Sequence, residues 1–241
     1  MSSANVIEIF SSVQGEGKYI GCRQVFVRLA DCNLHCAYCD TDFKRADFCK
    51  VETAAGAMTF QTVKNPLTAA QVSKVVKKFC NEVPTQAISF TGGEPLLHWQ
   101  FVRDVAGAVK SLGVKILLET NGTLPDELAR ALDAVDVISM DIKLGQNLLS
   151  LHEKFLRVAK VKDLYVKIVV TDETTLEEFL SAVELVAGVD ENILLILQPV
   201  TPVGNVRAIS AEKILLFQAA ALSKIKNVRV IPQTHKLINV P

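Results

Sequence analysis

The chain reads as an α/β protein whose mainly parallel sheet carries helices outside it, and three observations predict this. Short runs rich in β-branched residues alternate with amphipathic stretches of helical period. Some runs, residues 193–197 above all, are apolar at every position, as strands buried on both faces must be. Hydrophobic residues make up 49% of the 241 against 22% charged, enough to fill the core of a two-faced sheet and too many for a disordered chain.

Residues 24–29 form the first predicted strand, and a cysteine-bearing loop follows it. Residues 44–66 have no clear period and contain Ala54-Ala55-Gly56-Ala57, so they are expected to be an insertion or flap. Thr68 stands three residues before Gln71, the spacing of a capping box, and opens a helix over 68–81. Strand 87–90 leads into Gly92-Gly93, helix 101–112 stops at Gly113, and strand 115–119 leads to a turn at Gly122. A helix over 125–132 precedes strand 136–140, and strand 164–170 follows. Thr174 and Glu177 have capping-box spacing for a helix over 175–187 that ends at Gly188. Strand 193–198, a helix over 211–225 capped by Ser210, and strand 228–231 complete the series. No repeat interrupts it, and residues 1–241 are read as one domain. The alternation suits an open doubly wound sheet or a full or partial (β/α) barrel. In either, functional groups collect at the C-terminal ends of strands.

Lysine plus arginine and aspartate plus glutamate number 26 each, so no global basic field exists to hold nucleic acid or a membrane surface. A small molecule is the expected partner. The first residues, Met-Ser-Ser-Ala-Asn-Val-Ile-Glu, have neither a basic start nor an apolar run, and no segment has the length of a membrane span, so a cytoplasmic location is expected. Six cysteines in a reducing compartment point to metal chemistry, because three of them crowd into one short loop.

That loop runs Cys32-Asn-Leu-His-Cys36-Ala-Tyr-Cys39 and gives the spacing C-x3-C-x2-C. A structural zinc takes four closed ligands, whereas an iron-sulfur cluster on three thiolates leaves one iron open to an exogenous ligand. A zinc site would have to recruit His35 or Cys49. His35 adjoins Cys36 and would point elsewhere, and Cys49 lies in the irregular stretch, so the cluster is the expected occupant. Cys22 and Cys80 are expected to be small buried hydrophobes.

This spacing after a strand, together with Gly92-Gly-Glu-Pro95, resembles the radical SAM enzymes, which cleave S-adenosylmethionine (SAM). Within that class the chain resembles the 7-carboxy-7-deazaguanine synthases almost from end to end. The motifs that carry the resemblance are Glu8-Ile-Phe-Ser-Ser-Val-Gln-Gly-Glu-Gly17, Phe26-Val-Arg-Leu-Ala30, Cys39-Asp-Thr-Asp-Phe43, Thr91-Gly-Gly-Glu-Pro95, Glu119-Thr-Asn-Gly122, Gln198-Pro199, Gln233-Thr-His-Lys236 and Pro241. The resemblance implies a partial (β/α) barrel with fewer helices than the full radical SAM type. It also implies a radical ring contraction of 6-carboxy-5,6,7,8-tetrahydropterin to 7-carboxy-7-deazaguanine, with loss of ammonia.

The same resemblance assigns residues. Cys32, Cys36 and Cys39 hold a 4Fe-4S cluster. Gly93, Glu119, Ser139, Asp141, Lys143 and Gln198 hold SAM, although Ser139-Met-Asp-Ile-Lys143 departs from the family's shorter Ser-Pro-Lys. Val13, Gln14, Gly15, Glu16, Arg28, Thr91, His235 and Pro241 meet the pterin. Glu16 is matched to its guanidine-like donor edge and Arg28, expected to be buried and paired on an apolar strand, to its carboxylate. Thr41 contacts Mg2+, and the Pro241 carboxylate reaches the substrate, so a tailed variant is expected to lose activity. A homodimer and a flavodoxin or ferredoxin-type electron donor are the implied partners. Two rival readings are a radical SAM activase, which would lack the Gln-Gly-Glu-Gly and Gln-Thr-His-Lys segments, and a non-catalytic zinc-binding adaptor.

Overall fold

The computed structural model describes residues 2–145 and 147–241. In chain order its strands and helices are β1 (Ser3–Ala4), β2 (Val6–Val13), β3 (Arg23–Leu29), β4 (Phe48–Glu52), β5 (Phe60–Lys64), β6 (Leu67–Thr68), α1 (Ala69–Glu82), β7 (Ala87–Gly92), α2 (Trp99–Val109) and β8 (Lys115–Thr120). There follow α3 (Pro125–Ala131), β9 (Val137–Ile142), α4 (Leu149–Ala159), β10 (Asp163–Val170), α5 (Leu176–Val189), β11 (Leu194–Pro199), α6 (Ala211–Leu222) and β12 (Val228–Val230).

One large sheet runs β12-β11-β10-β9-β8-β7-β3-β2-β4-β5 and does not close on itself, so the architecture is a partial barrel. From β3 to β12 every neighbouring pair is parallel, with β7 to β12 separated by helices, as the alternation predicts. The chain departs from strict alternation at its start. β2, which the apolar pattern does not reveal, pairs antiparallel with β3 because only a turn around Gly17 and Gly21 joins them. Residues 44–66 contain β4 and β5, an antiparallel pair that extends the sheet beyond β2. The buried Glu52 carboxylate organises the connecting turn by accepting from the N–H groups of Ser11, Gly56 and Met58 at 2.9, 3.0 and 2.8 Å.

The helix starts show how local chemistry fixes boundaries. Thr68 and Gln71 form the expected capping box. At α5 the box is one residue later than predicted: Thr175 and Glu178 form it, while the Thr174 hydroxyl accepts from the N–H of Thr171 at 2.9 Å. α4 escaped prediction because Leu148 precedes it and no side chain caps it. With α4 there are six α-helices among the described residues, more than the trimmed family pattern implies.

The outer face of the sheet packs on the helices through one large apolar cluster that includes Phe79, Phe90, Phe101, Phe155 and Phe179. The inner face changes character along the strands. At its lower end Ala87, Leu117, Val137, Tyr165, Leu194 and Ile196 pack together. Above them, toward the C-terminal strand ends, side chains alternating on the same face turn polar: Glu119 follows Leu117, Asp141 follows Ser139, and Lys167 follows Tyr165. An apolar floor beneath a polar mouth places the functional site at that end. Cys22 and Cys80 are half-buried, not the buried hydrophobes expected, and Cys49 is the cysteine enclosed in the core, where burial pushes its thiol up to about 12.

Candidate functional site

A cavity of about 640 Å³ opens at the C-terminal ends of the strands, lined by residues from β2, β3, β7 to β11, the cysteine loop and the C-terminal segment. Its walls include Cys32, Cys36 and Cys39, Thr41, Gly93, Glu119, Asp141, Lys143, Gln198, Val13, Gln14, Gly15, Glu16, Arg28, Thr91, His235 and Pro241. Of the residues singled out from the sequence only Ser139 is absent. It is buried within β9, in register with Tyr165 on one side and Glu119 on the other. No residue of 44–66 lines the cavity.

The cysteine loop is held to the sheet by two glycines. Gly92 has φ +120°, and a Cβ on Gly93 would lie 1.8 Å from the carbonyl oxygen of Asp31. Their absence of side chains lets Gly93 N–H donate to Leu29 O at 3.1 Å and Glu94 N–H to Asp31 O at 2.8 Å, zipping the two loops together just before Cys32. Gly93→Ala is therefore expected to displace the cysteine loop and to lower iron retention in reconstituted protein with little change in far-UV circular dichroism; parental iron content would show that the loop absorbs the methyl.

Glu94 continues the zipper. Its buried carboxylate accepts from Leu96 N–H, the Thr120 hydroxyl and Asn121 N–H at 3.0, 2.9 and 2.7 Å. Burial outweighs these donors and pushes the carboxyl up to about 7.

The polar mouth centres on Lys167, a residue the sequence reading did not single out. Its ammonium lies 2.5 Å from Glu16 and 3.2 Å from Asp141 Oδ1, the latter an ion pair outside hydrogen-bond geometry, while Lys143 bonds the other Asp141 oxygen at 2.8 Å. Burial alone would raise the Glu16 carboxyl, but Lys167 and the Gln233 amide, 2.8 Å away, hold it down at about 2. The same opposition lowers Asp141 and raises Lys167 and Lys143. The signal was present in the sequence: a lysine inside an otherwise apolar strand is stable only if paired.

Around this core the other predicted residues bond to one another. Gln14 donates to Glu119 at 2.8 Å and Thr91 donates to its other oxygen at 2.6 Å. His235 packs so closely on Gly15 that a Cβ there would lie 2.1 Å from its ring nitrogen. Gln233 and Lys236 both reach Asp40, in the loop just after Cys39, so the C-terminal segment ties the two rims together. Arg28 is half-buried, not enclosed as expected, and its Nε donates to Glu8 at 2.7 Å beside the stacked rings of Phe10 and Phe26.

The donor set fits the groups that the motifs imply. All three thiols line the cavity, and Cys32 Sγ accepts from Leu34 N–H at 3.4 Å, the kind of contact that supports a cluster sulfur. Among the described residues no three cysteine, histidine or acidic side chains are already arranged to hold an ion, so binding would draw the loop together. Gln198 presents a buried carbonyl oxygen with no protein partner at the cavity wall, an acceptor suited to an N–H of a bound ligand such as SAM.

Comparison with known proteins agrees. The radical SAM superfamily pattern matches residues 27–190. The 7-carboxy-7-deazaguanine synthase of Geobacter sulfurreducens is 39% identical over 98% of this chain and 97% of its own. Those of Methanocaldococcus jannaschii and Archaeoglobus fulgidus are 34% and 36% identical, over 97% and 98% of this chain and 98% and 99% of their own. Among solved structures, QueE from Escherichia coli superposes with a TM-score of 0.64 at 19% identity, covering 97% of this chain and 95% of that one. A radical SAM methyltransferase from Sphaerobacter thermophilus gives 0.62 at 15% identity, covering 88% and 66%. At such identities the two structures speak for the fold. Among the described residues no helix is long and apolar enough to cross a membrane.

Proposed function

Because the chain belongs to the radical SAM superfamily and, within it, to the 7-carboxy-7-deazaguanine synthases, we infer that it converts 6-carboxy-5,6,7,8-tetrahydropterin to 7-carboxy-7-deazaguanine with loss of ammonia. The observation that carries this reading is that one cavity gathers the cysteine loop with the Gln14-Gly15-Glu16 and Gln233-to-Lys236 segments, far apart in sequence.

Cys32, Cys36 and Cys39 would hold a 4Fe-4S cluster, with SAM along Gly93, Glu119, Asp141, Lys143 and Gln198. When bound and reduced, that pair would supply the radical chemistry that side chains cannot provide. The chain's own residues bind and orient the substrate. Glu16, kept anionic by Lys167, accepts from the guanidine-like edge of the pterin. Arg28 gives its Nε to Glu8, which leaves the terminal nitrogens of its fork for the substrate carboxylate. Gln14 and Thr91, tied to Glu119, fix the floor under the ring, and His235 and Pro241 close the rim.

Thr41, on the cavity wall between Asp40 and Asp42, offers a hydroxyl to Mg2+, which keeps waters and substrate oxygens as its other ligands. The enzyme works in the cytoplasm as a homodimer, takes electrons from a flavodoxin or ferredoxin-type donor, and forms one domain over residues 1–241.

The test is anaerobic incubation of reconstituted protein with SAM, reductant, Mg2+ and 6-carboxytetrahydropterin, following products by mass spectrometry. Deoxyadenosine and 7-carboxy-7-deazaguanine together are expected. Deoxyadenosine alone would overturn the substrate; neither product from an intact, reducible cluster would overturn the reaction.

A further inference from the structure

We propose that Asn121 is a positioning residue for the cysteine loop, aiming a side-chain N–H at the sulfur of Cys32 and thereby setting the reduction potential of the cluster; this rests on the reading of Cys32, Cys36 and Cys39 as its ligands. Asn121 follows β8 and is 6% exposed at the cavity wall, and each of its polar atoms is engaged. Its backbone N–H donates to Glu94 Oε2 at 2.7 Å. Its backbone carbonyl faces His152 Nε2 at 3.2 Å, in a histidine held neutral because burial lowers it to about 4, so that nitrogen donates. The side-chain oxygen accepts from both the N–H and the hydroxyl of Thr123, at 3.1 and 2.6 Å.

These contacts determine the orientation of the amide. With Oδ1 taken by two donors, the NH2 group must face the cysteine loop, and a flipped amide would set its N–H groups against Thr123 N–H. Nδ2 donates to Asn33 Oδ1 at 2.8 Å and lies 3.9 Å from Cys32 Sγ. Asn33 in turn donates to the Thr123 hydroxyl at 2.8 Å, so the loop is docked on Asn121 and Thr123 in the turn just after β8. An N–H aimed at a thiolate sulfur stabilises the more negative, reduced cluster and raises its potential, and partners of this kind also decide how well the metal is retained. None of the predicted ligand assignments used Asn121, although it sits inside the Glu119-Thr-Asn-Gly122 motif.

The experiment is a redox titration of reconstituted holoprotein followed by electron paramagnetic resonance, with iron and sulfide content and the melting of the apoprotein measured alongside. Asn121→Asp keeps the shape and the acceptor for Thr123 but turns an anionic oxygen toward Cys32. Asn121→Ser removes Nδ2 without adding charge, and Asn33→Ala removes the neighbouring acceptor while leaving the Asn121 amide in place. The expected order of potentials is Asp lowest, Ser intermediate, and Asn33→Ala close to the parent. Parental potentials in Asn121→Asp and Asn121→Ser at parental iron content would overturn the proposal alone. If Asn121→Asp does not fold or load, Asn121→Ser decides: a lowered potential supports the proposal, and a parental potential overturns it. A parent lacking iron and sulfide would overturn the cluster reading and this proposal with it.

Discussion

Serine in place of Cys32, Cys36 or Cys39 is expected to abolish both deoxyadenosine and product formation, while serine at Cys22 or Cys80 leaves them unchanged. The three loop cysteines share one cavity wall; Cys22 and Cys80 do not line it. Each of the three would supply one of three protein ligands, and a hydroxyl is a poor substitute for a thiolate on iron. The loss should therefore exceed the roughly 10–100-fold that removing an outer partner of a metal ligand costs. Cys49→Ser makes the sharper contrast. Cys49 is fully buried on β4 and outside the cavity, so the new hydroxyl is expected to lower stability by about 1–3 kcal/mol while iron content stays at the parental value. Iron and sulfide analysis, visible absorption and thermal melting separate the two kinds of cysteine. A parental cluster in any one of the three loop variants would mean that another residue completes the site.

What could be read from the sequence was what the chain writes locally. The parallel strands announced themselves because both faces of strands such as β11 are apolar, and the cysteine loop because its C-x3-C-x2-C spacing is itself the family's motif. β2 stayed hidden because Glu8, Ser11 and Ser12 interrupt its apolar run: Glu8 faces the cavity, and Ser11 bonds to Glu52 and Arg23. The box at α5 turned on which of two adjacent threonines the N–H of Thr171 would claim, a choice made only in three dimensions. Ser139 was read as standing at a strand end, whereas it lies inside β9. Its register neighbours are Tyr165 and Glu119, whereas Asp141, two residues on, stands opposite Lys167. Asn121 carried only the local signal of a turn before Gly122 and Thr123, because its other partners come from Asn33, Glu94 and His152.

Lys167→Met is expected to be the most damaging single change in the polar mouth. Removing the ammonium leaves Glu16 without its cation and takes from Asp141 one of its two, and breaking such a buried pair from one side costs about 3–5 kcal/mol. For a chain of this size that corresponds to a fall in Tm of roughly 6–20 °C. The pH dependence distinguishes this cause from simple loss of packing. In the parent the Glu16 carboxyl is held at about 2 against an ordinary 4.5, so its contribution to stability is fully present above the unfolded value and is lost as pH falls toward 2. Without Lys167 the largest influence left is burial, which raises the carboxyl. The sign then reverses: the folded variant prefers the protonated acid, and its deficit against the parent shrinks as pH falls through the carboxylate range. The double variant Glu16→Gln/Lys167→Met should recover part of the stability at neutral pH, because no unpaired charge remains at that position. Substrate binding should suffer as well, since an unclamped Glu16 no longer presents a fixed anion, and a rise in KM larger than the fall in kcat is the expected kinetic form. Denaturation of the single and double variants from about pH 4 to 8 tests the argument. A deficit independent of pH would assign the effect to packing around the lysine stem; one that closes toward acid would assign it to the charge that Lys167 holds in place.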